Sequence, residues 1–399
     1  MFDALFTTTT EYKKLSHALS GKGACALFGL PASGRAQVYA ALCRQLDKPL
    51  CIVTPGEAEA TRFAADLNTL GIPAAVFPAR DYVLRPIEGT AREYEYRRLA
   101  VLGELVGGRL RAVAVPAEAL TQFTTPKEDF CANTRTLHAG DTLLRDDLLA
   151  ALFGAGYTRR AQVDGPGQFS VRGDIVDIFA PDQKMPVRME FWGDEIDTLH
   201  TFDLTTQRRE DAIDKFYLSP AREVLFGKPA DAAEQLRAFL AKQRGKKKTA
   251  MADGMAADLD LLDGGAVPVN MDKYLAVRYP HPATVLDYFD DPILVAEEPA
   301  SIREADRATA YRRGEELKSL ILDGVLCAGL DNLYADPSYL WSKTGHYRTI
   351  CAENFARSMP DQPLKDIINA PAHTLPAWNG EVAGLLEDLK PLCDAGYTV

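Results

Sequence analysis

The first 126 residues alternate short apolar runs with segments whose apolar residues recur three and four apart, and this alternation leaves few folds open. The run Ala24 to Phe28 enters the turn Gly29-Leu30-Pro31-Ala32-Ser33-Gly34-Arg35-Ala36, after which Val38, Ala41, Leu42 and Leu46 form a helical stripe. Leu50 to Thr54 leads to a second stripe of Ala60, Phe63, Ala64, Leu67 and Leu70, which Gly71 can end. Ala74 to Phe77, a helix around Tyr94 to Val106 and Arg111 to Val115 continue the series, and a helix near Glu11 to Leu19 precedes it. Strands that are apolar throughout and separated by helices are buried on both faces, so the expectation is a parallel sheet in an α/β domain.

From about Lys127 the period changes. An amphipathic segment with Leu148, Leu149, Leu152 and Phe153 ends at Gly154, and paired strands follow Tyr157. Between Gly165 and Arg209, Phe169 and Val171 alternate with Ser170 and Arg172, while Val187, Met189 and Phe191 alternate with Arg188, Glu190 and Trp192. Period two assigns Val171, Val187, Met189 and Phe191 to a core face and Arg172, Arg188 and Trp192 to the solvent face. Gly193-Asp194 marks a turn. Helix followed by paired strands is no strand-helix-strand unit, so residues 127–218 form a small α+β domain inserted into the larger one. Tryptophan and arginine are enriched among binding hot spots. On pattern alone, the same residues also fit an ordinary solvated face with the indole covered by another segment.

The runs PGQFSVRGDIVDIFAP and PVRMEFWGDEIDTLHTFDLTTQR resemble the second domain of the bacterial transcription-repair coupling factor family (Mfd) and, more distantly, the excision-repair protein UvrB. The resemblance implies that Arg172, Arg188 and Trp192 contact UvrA. The family has Phe at the last position, so Trp192 keeps the aromatic character and changes the shape.

The turn after the first strand invites comparison with the phosphate-binding pattern GxxxxGK[ST]. Gly29 and Gly34 have its spacing, but Arg35 stands at the lysine and Ala36 at the metal-ligating hydroxyl. A planar guanidinium is no slender point charge and alanine has no oxygen for Mg²⁺, so the expectation is a degenerate nucleotide loop that keeps the shape and loses the chemistry. The resembling family has such a decayed loop, whereas UvrB keeps a working one. The stretch PATVLDYFDDPILVAEEP resembles the UvrB segment that ends in its Mg²⁺-binding acid. Here the strand Ile293 to Ala296 runs into Glu297 and Glu298, and the first domain is expected to resume. The aromatic hairpin with which UvrB grips DNA would fall between Phe77 and Arg97, where the chain is too short to hold it.

A chain of 399 residues that is 47% hydrophobic and 25% charged has room for two or three domains. Its formal net charge of -11 argues against a whole-surface nucleic-acid binder. The sequence has no transmembrane run and its start lacks the pattern of a signal peptide, which gives a cytoplasmic expectation. Seven scattered cysteines and six dispersed histidines have no ligand spacing, so neither a metal site nor a cofactor is expected. The basic run Lys242 to Lys248 reads as a solvated loop, and Asp331 to Pro363, after a helix Arg303 to Leu322, as loop-prone. Pro371 to Pro376 reads as a linker before one amphipathic helix and the first residues of a strand.

The expected fold is therefore α/β. A degenerate P-loop-like parallel-sheet domain, residues 1–126 and 219–370, holds an inserted α+β UvrA-binding domain at 127–218, and 371–399 is a linker with the truncated start of a further α/β domain. The resemblance implies a non-catalytic recruitment module that binds UvrA and brings nucleotide excision repair to stalled RNA polymerase. Polymerase and DNA would be met only through parent domains outside this chain, the parent being an ATP-dependent DNA translocase, and one of those domains would cover the Arg172, Arg188 and Trp192 face at rest. In the module all three side chains are expected to be largely exposed and individually replaceable by alanine. The rival reading is a UvrB-like P-loop ATPase or helicase domain acting on damaged DNA, which needs a lysine at 35 and a hydroxyl at 36. A third is a modest DNA-binding module, against which the charge balance speaks.

Overall fold

The apolar runs of the opening segment become neighbours in one sheet. The computed structural model describes residues 7–86, 92–243, 245–327, 329–355, 362–372 and 380–396. Its first elements are α1 (Thr10–Ala18), β1 (Gly23–Phe28), α2 (Ala32–Leu46), β2 (Leu50–Thr54), α3 (Glu57–Thr69), β3 (Ala74–Val76), α4 (Glu93–Val106) and β4 (Ala112–Pro116). The inserted region carries β5 (Arg135–His138), α5 (Arg145–Gly154), β6 (Thr158–Arg159), β7 (Gln168–Arg172), β8 (Ile175–Phe179), β9 (Val187–Trp192), β10 (Glu195–Phe202), β11 (Arg209–Ala212) and β12 (Lys215–Leu218). Then come α6 (Pro229–Ala241), α7 (Gly245–Asp263), β13 (Ile293–Glu297), α8 (Pro299–Leu322), β14 (Arg348–Glu353), β15 (Leu364–Asn369) and α9 (Val382–Asp394).

Seven strands form a parallel sheet in the order β15-β1-β14-β13-β2-β4-β3. Alternate strand residues face two cores: Leu27, Ile52 and Val295 meet Tyr39, Leu42 and Phe63 on one side, while Phe28, Val53 and Leu294 meet Leu99, Leu102 and Ile302 on the other. That two-sided burial explains the uninterrupted apolar runs.

Four expectations change. The segment Asp331 to Pro363 is not all loop, because β14 lies inside it and sits between β1 and β13 in the middle of the sheet. Gly245 begins α7, so the second half of the basic run is helical backbone. Between β12 and β13 the chain builds a helical lobe, in which Leu236, Leu240, Met251, Met255, Tyr274 and Tyr279 share a core with Tyr82 and Leu333. Finally, the turn after β1 does not keep a phosphate-loop shape: α2 already starts at Ala32, so Ser33, Gly34 and Arg35 are helical. Gly29 is required for another reason. Its φ is +91°, and a Cβ there would lie 2.8 Å from the carbonyl oxygen of Ala370.

The insertion is a six-stranded sheet, β11-β10-β9-β8-β7-β6, antiparallel except for the β6–β7 pair, beside a two-stranded β5–β12 pair. Leu148 and Leu152 of α5 pack on its inner face against Phe169, Val176, Met189 and Leu199. Two-residue turns with glycine first, Gly173-Asp174 and Gly193-Asp194, join β7 to β8 and β9 to β10. Their glycine φ values of +60° and +65° are those that right-twisted hairpins need.

No residue of α9 is buried. The linker from residue 373 on and the strand start at Tyr397 to Val399 lie outside the described residues. Between Phe77 and Arg97 the described residues form no strand. Among the described residues no helix is long and apolar enough to cross a membrane.

Candidate functional site

The outer face of the inserted sheet is organised by one rung. Ser170, Asp177, Arg188 and His200 are cross-strand partners over β7, β8, β9 and β10. Asp177 has no side-chain exposure and accepts from Arg188 Nε at 2.7 Å, from Arg188 Nη2 at 3.0 Å and from Arg172 Nη2 at 2.6 Å. Such a carboxylate persists in a dry place only because charged donors compensate it.

The alternation placed Val187, Met189 and Phe191 inward, and all three are buried. It also put Arg188 on the outer face, but the expected exposure is wrong: Arg188 is 9% exposed. Its guanidinium lies 4.7 Å from the Phe202 ring centroid, and Nη1 donates to the Gln207 carbonyl at 3.1 Å. Val163, Phe179, Phe202 and Leu204 make a second small core on this outer face, which roofs the arginine. Replacing Arg188 by alanine is therefore no surface change.

Arg172 and Trp192 lie toward the two glycine turns. The Arg172 side chain is 46% exposed although tied to Asp177, and Trp192 is 83% exposed. Arg145, at the start of α5, donates from Nη1 to the Gly173 carbonyl at 2.9 Å, which braces the first turn. The structure thus separates the three residues: Trp192 is free to meet a partner, Arg172 is half free, and Arg188 is a beam beneath them. Asp177 was not singled out from the sequence. The signal was there, an acid inside the apolar run DIVDIF at the parity of the outer face.

The second set of sequence-named residues converges in the main sheet. Arg35 is buried, and its Nη2 lies 2.9 Å from Glu297 Oε2 and 3.1 Å from Glu298 Oε1. Its Nη1 donates to the Leu30 carbonyl at 3.2 Å and to Asn354 Oδ1 at 3.1 Å. Tyr39 donates to Glu297 Oε1 at 2.5 Å. Burial pushes the Glu297 carboxyl up to about 7, although Arg35 and the Tyr39 hydrogen bond pull the other way. Ala36 faces the core, and a Cβ added to Gly34 would meet Pro31 only at 3.6 Å. Arginine and acids here pair across the end of β13 and the start of α2, and Arg35 Nε is left without a hydrogen-bond acceptor.

Comparison with known proteins gives the family. A family model described as the UvrB interaction domain matches residues 136–224, which include Asp177 and all three outer-face residues. Over 94% of its length the chain is 25% identical to a transcription-repair-coupling factor of Bacillus subtilis, of which it covers 32%. It is 35% identical to the factor of Mycobacterium bovis, with 72% of this chain and 24% of that protein covered, and 35% identical to that of Myxococcus xanthus, with 49% and 17% covered. The chain spans a third or less of the length of these relatives.

Proposed function

From a chain homologous to the N-terminal region of the transcription-repair-coupling factors, containing a UvrB interaction domain, we propose a recruitment module that docks UvrA on the Trp192 end of the inserted sheet. The observation that carries this reading is Trp192 itself, an 83% exposed indole on a strand whose inward neighbours are buried. An aromatic held out on a rigid frame loses little conformational freedom on binding and buries a large area. Arg172 supplies a donor at the same end, while Arg188 fixes Asp177 and through it the Arg172 head. Stalled RNA polymerase and DNA would be met by other parts of the parent, which as a whole would act inside the cell as an ATP-dependent translocase. The test is a titration with UvrA: Trp192→Ala should weaken binding strongly, and wild-type affinity in that variant would sink the assignment.

The chain is further proposed to have no ATPase role. The site where a phosphate-reaching lysine would stand is filled by a guanidinium held between two glutamates, and α2 already begins at Ala32, so the segment between Gly29 and Gly34 is not an open phosphate-wrapping loop. Calorimetry with Mg-ATP should give no heat of binding. A micromolar dissociation constant would overturn this and favour the UvrB-like ATPase.

A further inference from the structure

A groove between the inserted domain and the helical lobe is unused by the reading above. It encloses about 800 Å³, with β6, the Asp164 to Gly167 loop and Phe153 on one side and the Gly265 to Val269 segment on the other. β6 is the edge of its sheet. The N–H groups of Thr158 and Arg160 bond to Gly167 and Phe169 carbonyls on the β7 side at 2.9 and 2.8 Å. Alternation along a strand therefore turns the N–H and C=O of Arg159 away from β7, to the open side.

The charge at this edge is uncompensated. Arg159 and Arg160 are exposed and have no ion-pair partner among the described residues. The deeper arginines are occupied: Arg92 pairs with Glu95 at 2.7 Å, and Arg222 donates to the Tyr96 hydroxyl at 3.1 Å. Of the acids in the lining, Asp272 is taken by Arg80 at 2.8 Å, which leaves Asp164 at the lip. Phe153, Val267 and Val269 add exposed apolar wall. The edge is also fixed in place. Gly167 has φ +74°, and a Cβ on it would come 2.8 Å from Tyr96 Oη, so this loop sits pressed on α4.

We propose that the groove takes an extended acidic peptide of a partner protein, which adds a strand to β6 at Arg159. Its carboxylates reach Arg159 and Arg160, and an alternate apolar side chain lies against Phe153 and Val267. Charge complementarity selects an acidic occupant. The free backbone edge and apolar walls select a polypeptide over a nucleic acid, which cannot complete a β ladder. This site is separate from the Trp192 end and does not depend on it.

The experiment selects short peptides from a random display library on the wild-type chain, against an Arg159→Glu/Arg160→Glu variant whose fold is checked by its melt. The expected peptides are rich in Asp and Glu and alternate with apolar residues. They should lose about tenfold or more in affinity on the double variant, lose binding when alternate amides are N-methylated, and bind Trp192→Ala as well as wild type. Failure to find any peptide that distinguishes wild type from the double variant overturns the proposal. So does undiminished binding of the N-methylated peptides, or oligothymidylate binding that the double variant abolishes.

Discussion

The Asp177 carboxylate is fully buried, and two arginines of unlike burial compensate it. Their variants should therefore part company. Arg188→Ala removes three hydrogen bonds and leaves a buried acid short of donors, a change that typically costs about 3 to 5 kcal/mol, eased here to the extent that Arg172 remains. Arg172→Ala leaves both Asp177 oxygens bound by Arg188 and should stay within about 1 kcal/mol of wild type. Trp192→Ala should melt within about 0.5 kcal/mol of wild type yet lose about 2 kcal/mol of UvrA binding, roughly thirtyfold. Thermal melts beside UvrA titrations read all three; an Arg188→Ala protein as stable as wild type would show that the rung is ornamental. The sequence carried the face of Arg188 but not its exposure, because period two reports parity within a strand. The roof over it comes from Phe202 and Gln207, beyond the next hairpin. A second residue-scale consequence lies at Glu297. A carboxyl raised from 4.5 to about 7 in the folded state holds a proton that the unfolded chain has already lost, so its contribution to stability is complete by about pH 4.5 and is lost as pH rises to about 7. Asp306, pushed up to about 6 by burial, adds a decline of the same sign. Melting at steps from pH 4.5 to 8 should give a falling curve that Glu297→Gln flattens in large part; a rise over this window would contradict the assignment.

Among the elements, burial decides what each helix is worth, and two leucines in different helices make the comparison. Leu236 of α6 is fully buried in the helical lobe, so Leu236→Ala should cost about 2 to 5 kcal/mol. Leu386 of α9 is exposed, as is Val382 a turn before it, so Leu386→Ala should leave the melt unchanged. Denaturant titrations of both variants test the contrast, and a destabilised Leu386→Ala would mean that α9 docks on the body. The same logic governs what could be read in advance. β1, β2, β4 and β13 are apolar runs bounded by turn residues or helical stripes, and their type follows from the sequence. β14 is as buried as they are, but its short apolar stretch lies among residues that favour turns, and its two neighbours, β1 and β13, are remote in the chain. The turn after β1 failed for another reason: glycine spacing can match a loop motif while the backbone between the glycines has already become helix.

Across the whole molecule, the sheet domain and the helical lobe meet at a buried ionic cluster beside the point where the chain returns from the insertion. Arg80, which follows β3, bonds Asp272 of the helical lobe, and Arg98 of α4 bonds Glu223 just beyond the insertion, with Gln122 bridging between them. No spacing rule finds such a cluster, since Arg80 and Asp272 are 192 residues apart in the chain. Arg98→Ala should cost about 3 to 5 kcal/mol because Glu223 is fully buried. Glu95 gives this junction an acid limit. Burial alone would raise its carboxyl, but Arg80, Arg222 and Arg92 more than offset that and hold it at about 2. Its stabilising effect is complete above about pH 4.5 and is lost as pH falls toward 2, so acid titration should show a cooperative weakening in that window that Glu95→Gln reduces.

The seam of the insertion has a consequence of its own. β5 and β12 pair antiparallel, with Arg135 opposite Leu218 and His138 opposite Lys215. The chain therefore leaves its host and returns to it about 5 Å apart, the spacing of two neighbouring strands. To the parallel sheet, everything between those strands is a single closed loop, whatever its length. The inserted domain can in this way be exchanged like a cartridge: a related host could replace the residues inside the seam and offer its sheet the same two strand ends, provided the newcomer also presents a surface to α4 where the Gly167 loop now lies.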